Sequence, residues 1–141
     1  MGRIIQLPEA IHPKLVTLRS TNRIAVVSEM VDYIIRNHNL DQSGRDEIIK
    51  SVIDRENLGS TGIGDGLAIP HGKCDKIPAV IGLLAKSDEG VEFNAIDGEP
   101  VYLMCMLLSN DNCMAGYLET LSIMAKLFRE YGKSGILSQF Q

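Results

Sequence analysis

Two apolar runs, residues 79–85 and 101–108, restrict the possible fold of this chain more than any other feature. Each has strand length, and neither alternates polar with apolar side chains. Strands of that kind are covered on both faces. The chain must therefore supply helices for two sides of a sheet, which makes it an α/β sandwich. Three stretches have the helical period to do so. From Asn22 onward, Ile24, Val27, Val31, Ile34 and Ile35 share one face, while Arg23, Glu29, Asp32 and Arg36 lie mostly on the other, with Thr21 or Asn22 as the N-cap. A second helix starts at Ser43 as N-cap, carries Asp46 and Glu47 in its positive first turn, and presents Ile48, Ile49, Val52 and Ile53. It is expected to end near Glu56, which delivers Arg55 close to the glycine-rich segment that follows. The third follows the polar break at residues 109–112 and repeats Leu118, Leu121, Met124, Ala125 and Phe128; Gly132 stops it, and residues 136–140 begin a last short helix.

The remaining segments are turns and short strands. Asp88-Glu89-Gly90 reads as a turn into Val91-Glu92-Phe93, and Asp97-Gly98-Glu99-Pro100 as another. Near the N-terminus, Ile4-Ile5 and residues 15–18 are candidate edge strands interrupted by Pro8 and Pro13. No internal repeat, low-complexity stretch or linker divides the chain, so residues 1–141 are expected to form a single domain, a length that can bury a real core. A net charge of −4, with no local Lys/Arg block, argues against nucleic acid as a partner. The run 101–108 is too short to span a bilayer, and the charged first twenty residues lack the apolar core of a signal peptide. Cys74, Cys105 and Cys113, odd in number and irregularly spaced, read as reduced thiols of a cytoplasmic protein.

The chemistry concentrates in Gly59-Ser60-Thr61-Gly62-Ile63-Gly64-Asp65-Gly66-Leu67-Ala68-Ile69-Pro70-His71-Gly72. Four glycines in eight residues describe backbone that turns tightly or lets something approach. Leu67-Ala68-Ile69 can enter a sheet, Pro70 is expected to end that run, and His71 then stands where a strand stops, beside a glycine that adds no bulk. A loop is expected after it. The alternatives for His71 are unequal. A structural histidine is always the bland reading. A metal site through His71 and Cys74 lacks further ligands at zinc-type spacing. No G-x-S-x-G elbow supports a Ser–His hydrolase, and the glycines match neither a P-loop nor a dinucleotide fingerprint. Phosphoryl chemistry on the imidazole itself remains: a neutral ring nitrogen is a competent nucleophile near pH 7. The charge of a phosphoimidazole calls for amides, hydroxyls and a cation, and Ser60, Thr61, Gly62 and Arg55 are such groups. Each also has a structural reading: Arg55 as a cation at a helix C-terminus, Thr61 as a turn hydroxyl.

The segment Arg55-Glu56-x-x-Gly59 through Gly72 resembles the active-site signature of EIIA domains of the fructose/mannitol type, components of the phosphoenolpyruvate-dependent phosphotransferase system. Its wording is closest to the nitrogen-regulatory branch. Phe93-Asn94-Ala95-Ile96-Asp97-Gly98-Glu99-Pro100-Val101 and Leu118-x-x-Leu121-Ser122-x-x-Ala125-Lys126 agree as well, so the resemblance covers roughly residues 20–131. It implies a mixed sheet flanked by helices and a phosphocarrier without metal or organic cofactor. His71 would accept a phosphoryl group from HPr or its nitrogen-branch relative, Arg55 would help bind it, and an EIIB cysteine or a regulatory target would follow. Any contact with a membrane would run through transporter partners. The sequence departs from the family at one point: relatives commonly carry a second histidine where Tyr117 stands here, and a phenol cannot offer an imidazolium's charge. That departure keeps open a second reading, a non-catalytic protein-interaction module of the same fold.

Overall fold

The computed structural model describes residues 5–140. Its centre is a six-stranded mixed sheet. The strands are β1 (Ile11–Thr17), β2 (Gly62–Gly64), β3 (Leu67–Ala68), β4 (His71–Lys73), β5 (Ile81–Val91) and β6 (Val101–Ser109), in the order β1-β5-β6-β3-β2, with β4 also paired to β6. β5 and β6 are antiparallel; β1 runs parallel to β5, and both β3 and β4 run parallel to β6. The apolar runs behave as expected: Leu83, Leu84, Ala85 and the residues from Leu103 to Leu108 have no exposed surface. Helices α1 (Arg23–Asn37) and α2 (Arg45–Leu58) close one face, where Val27, Val31, Ile34, Ile48 and Val52 meet Leu83, Met104 and Met106. The long α3 (Met114–Phe140) closes the other, where Tyr117, Met124 and Phe128 meet Leu84, Cys105 and Leu107.

Several local expectations shift. Asn22 does cap α1, its side chain accepting from Ala25 N–H, but Ile24 points to water at 60% exposure and Met30 takes its place in the core. Ser43 does not cap α2. It lies in a 3-10 turn (Gln42–Gly44) capped by Asp41, and Gly44 precedes the helix with no side-chain cap. In the first turns of α3 the inward face is shifted by one residue, so Tyr117 and Thr120 are buried while Leu118 is exposed; Met124 and Phe128 face inward as expected. Gly132, at φ 68 and ψ 178, breaks α3 where a stop was expected, and a helical end follows it. Residues 88–90 form no turn between two strands; β5 continues through them with an irregular register, and Gly90 (φ 87) absorbs the bulge. Pro13 sits inside β1 because that strand is an edge with a register shift between His12 and Val16. Ile4 lies outside the described residues, and Ile5 is buried without entering a strand.

The segment leading to His71 is the largest revision. Pro70 does interrupt the strand, as expected, but the chain resumes pairing directly after it instead of leaving the sheet in a loop. Leu67 pairs with Leu103 and His71 with Leu107, the same offset, so β3 and β4 are two pieces of one line along β6. The gap between them falls at Pro70: its carbonyl accepts from Leu107 N–H, but its nitrogen, on the same side, has no proton to give β6, so the ladder is interrupted between Ala68 and His71. Upstream, Asp65 (φ 57) and Gly66 (φ 78) make the two-residue turn of the β2–β3 hairpin, the left-handed pair that Asp-Gly suits. Downstream, Gly72 is needed for closeness rather than openness: a Cβ there would stand 3.0 Å from Val52 N and 2.9 Å from its Cγ2. Gly72→Ala is therefore expected to push β4 off α2 and cost about 1–3 kcal/mol, read as a lower urea midpoint; an unchanged midpoint would show that the contact yields freely.

Candidate functional site

His71 begins β4 and is half-buried, one strand-width from the C-terminal turn of α2. Its Nδ1 lies 2.8 Å from the carbonyl oxygen of Ile69. A carbonyl only accepts, so Nδ1 carries the proton and Nε2 keeps its lone pair. Arg55 donates from Nε to that Nε2 at 3.1 Å and from Nη1 to the Gly59 carbonyl at 2.7 Å. The guanidinium is thus anchored on the turn after its own helix while resting on the imidazole. Burial, with the charges of Arg55 and Lys73, holds the His71 pKa below 6.5; the Ile69 carbonyl opposes this only in part. The ring is neutral at pH 7, as a nucleophile must be.

Tyr117 faces the other side of the imidazole, ring centroids 6.0 Å apart at 59°. Burial pushes its phenol up to about 12, so it stays a neutral donor throughout the physiological range. Between these groups opens a cavity of about 350 Å³, walled by Arg55 and Leu58 of α2, His71 to Lys73 of β4, and Tyr117. Leu58, 86% exposed, forms its lip. An adjoining cavity shares Ser51, Asp54 and Lys73 and reaches Cys74, whose thiol donates to Glu47. Among the described residues no three His, Cys, Asp or Glu side chains converge as a metal site.

The structure brings His71, Arg55 and Tyr117 together. Ser60, Thr61 and Gly62 lie along the approach to the β2–β3 hairpin, with their polar groups already engaged. Ser60 Oγ donates to the Phe93 carbonyl and accepts from Gly62 N–H at 3.0 Å. Thr61 gives both its hydroxyl and its N–H, the latter at 3.3 Å, to the carboxylate of Glu56. Glu56 had no role in the sequence reading, yet at 3% exposure it is one of the few buried charged groups. A signal existed: an acidic residue in the last turn of a helix opposes the helix dipole and needs donors of its own. Lys73, which bears on the imidazole's charge, was likewise missed, because it follows the histidine in what read as a loop.

Comparison with known proteins places this geometry. Residues 9–133 match the model of the family described as "Phosphoenolpyruvate-dependent sugar phosphotransferase system, EIIA 2". The chain belongs to this EIIA family. A nitrogen regulatory protein of Bradyrhizobium diazoefficiens is 39% identical over 83 residues, covering 59% of this chain and 54% of that protein. The match thus spans about half of that relative's length. The crystal structure of the nitrogen regulatory protein IIA-Ntr from Neisseria meningitidis superposes with a TM-score of 0.79 at 30% identity, over 94% of this chain and 89% of that one. The mannitol IIA of Escherichia coli, solved in complex with its phosphorylated IIB, shares the fold at a TM-score of 0.63 and 15% identity, over 86% of this chain and 82% of that one. EIIA proteins of this family are components of the phosphotransferase system. No described helix is long and apolar enough to cross a membrane.

The two depressed histidines predict how stability depends on pH. Burial also lowers the pKa of His38, against a backbone bond at Gly82 and with the help of His12, and its enclosed Nε2 has no hydrogen-bond partner among the described residues. In the unfolded chain both rings titrate near 6.5, so between 6.5 and the lower folded values the unfolded state binds more protons. Stability contributed by these rings is complete above about pH 6.5 and is lost as pH falls toward the folded values. Urea unfolding between pH 7.5 and 5.5 should show this loss, and replacing both rings with Gln should flatten the curve. In NMR titration Arg55→Ala should raise the His71 midpoint; a lower midpoint would contradict the assigned charge effect.

Proposed function

We propose that His71 is a phosphoryl acceptor and that the chain, residues 1–141 acting as one EIIA-type unit, is a phosphocarrier. One observation carries the reading: the Ile69 carbonyl holds the Nδ1 proton, which turns the lone pair of Nε2 toward a cavity that Arg55 already occupies. In the transfer, the lone pair of Nε2 forms the N–P bond as the donor's N–P bond breaks, and the donor imidazole leaves with that electron pair. Arg55 must lift from Nε2 for the attack. Its Nη1 anchor on Gly59 keeps it within reach, so its N–H groups can turn onto the incoming oxygens, where a cation stabilises the charge most strongly. The Nδ1–H···O bond to Ile69 persists and spreads the positive charge that the ring acquires. No metal or organic cofactor enters this scheme. Ser60, Thr61 and Gly62 serve it by holding the turn on which Arg55 is anchored.

The donor is a phosphohistidine of the HPr class, as membership of a phosphoenolpyruvate-dependent system supports. The acceptor is an EIIB cysteine or a regulatory target; the mannitol relative's complex supports the first and the nitrogen regulatory relatives the second. A specific feature favours signalling over fast transfer. Tyr117 is neutral where relatives commonly have a second imidazole, so it offers the transition state a hydrogen bond but no charge. The alternative is an interaction module whose partner binding ignores His71.

Intact mass after incubation with phosphoenolpyruvate, enzyme I and HPr tests the proposal. Wild type should gain one acid-labile phosphoryl group and His71→Ala none, while Arg55→Ala should be phosphorylated roughly a hundredfold more slowly. Folded wild type that stays unmodified beside phosphorylated HPr would refute the carrier reading.

A further inference from the structure

The hydrogen bonds around His71 close into a ring that returns to the residue next to Arg55. Arg55 Nε–H donates to His71 Nε2, and His71 Nδ1–H donates to the Ile69 carbonyl. Ile69 N–H donates to the Thr61 carbonyl at 3.1 Å. Thr61 N–H and its hydroxyl donate to the two carboxylate oxygens of Glu56, which is bonded through the main chain to Arg55. Adjacent helical residues point about 100° apart. α2 can therefore present Arg55 outward to the imidazole and Glu56 inward to the hairpin approach. Both ends of the His71 ring are thus referred to one peptide unit of α2: Nε2 through the guanidinium, Nδ1 through Ile69, Thr61 and the carboxylate.

The chemistry of the Glu56–Thr61 link is unusual for a loop fastening. Glu56 is 3% exposed and Thr61 5%, and no salt bridge reaches the carboxylate among the described residues. A buried carboxylate without a cation is costly to desolvate and is retained only where its hydrogen bonds are good. It accepts both donors of a single residue, which fixes the Ser60–Thr61 peptide and the Thr61 side chain together and so orients the Thr61 α-carbon between them. From that α-carbon the next peptide presents the carbonyl that takes Ile69 N–H, and Ile69 in turn carries the carbonyl that selects the His71 tautomer.

We propose that Glu56 is a positioning residue for His71: through its double bond to Thr61 it holds the Ile69 carbonyl where it fixes the Nδ1–H tautomer and leaves Nε2 as the attacking atom. The proposal rests on the reading of His71 as phosphoryl acceptor for its kinetic consequence, but not for its structural one. Glu56→Gln keeps the volume but removes the charge, and its amide N–H₂ can meet Thr61 Oγ1 only by making the hydroxyl the acceptor, so both charge-assisted bonds give way to weaker neutral ones. Thr61→Val removes the hydroxyl alone, and Thr61→Ser restores it.

Long-range ¹⁵N–¹H NMR of the unphosphorylated protein at pH 7.5 reads the His71 tautomer directly. Wild type and Thr61→Ser should show Nδ1–H alone, whereas Glu56→Gln and Thr61→Val should show a mixture with Nε2–H. Phosphorylation by phospho-HPr should slow roughly tenfold to a hundredfold in the two defective variants and recover in Thr61→Ser. The urea midpoint of each variant identifies any that do not fold, and the Thr61 pair carries the test if Glu56→Gln is one of them. An unchanged tautomer and rate in folded Thr61→Val and Glu56→Gln would overturn the proposal. A shifted tautomer in a protein whose wild type takes no phosphate would uphold the positioning role and refute the phosphoryl acceptor instead.

Discussion

The site depends on one hydrogen bond, from His71 Nδ1 to the carbonyl oxygen of Ile69, 2.8 Å long. An imidazole free in solution exchanges its proton between two nitrogens, and only one of them can face a partner here. The Ile69 carbonyl removes that ambiguity without charge, so the ring stays a neutral base while its nucleophilic atom is chosen. Much of the surrounding architecture serves to put this carbonyl in place. The β2–β3 hairpin turns back at Asp65-Gly66, Thr61 and Ile69 bond across it, and β3 and β4 lie in line along β6. Gly72 then lets α2 come close enough for Arg55 to reach the ring.

On the proposed reading, charge in the site suits an anion that arrives rather than one that is always present. Burial most of all disfavours protonation of His71, and Arg55 and Lys73 add to it. A neutral imidazole beside cations becomes a good host only when phosphoryl oxygens enter to compensate. Tyr117 sets the limit of that arrangement: it packs against the ring and is held neutral by burial, so it cannot vary the local charge with pH as an imidazole would.

The layered fold was legible because the two long apolar strands admit no other environment than cover on both faces, and the helices that supply it have clear periods. That His71 and Arg55 lie together was legible, since the glycine stretch and the end of α2 had to meet. What escaped was decided by tertiary contact. Pro70 reads as a terminator and does interrupt the ladder, but only β6 shows that His71 resumes it at the same offset. Gly72 reads as freedom and turns out to be a space requirement set by Val52. Ser43 has the composition of a cap, but Asp41 turns the chain first. Ser60, Thr61 and Gly62 read as loose phosphate donors because hydroxyls and amides in a glycine loop have no partner in the sequence; the fold supplies Phe93 and Glu56. Glu56 showed in the sequence only its unfavourable place at a helix C-terminus; that it is buried against a threonine five positions later is decided by the fold.

The central claim is that the fold selects Nε2 of His71 as the phosphoryl-bearing atom. The direct measurement is ¹⁵N and ³¹P NMR of the phosphorylated protein labelled at histidine. The account predicts phosphorus coupled to Nε2, with the Nδ1 proton still present and shifted by its bond to Ile69. Phosphorus on Nδ1 would mean that this hydrogen bond breaks during transfer, and would contradict the account at its foundation.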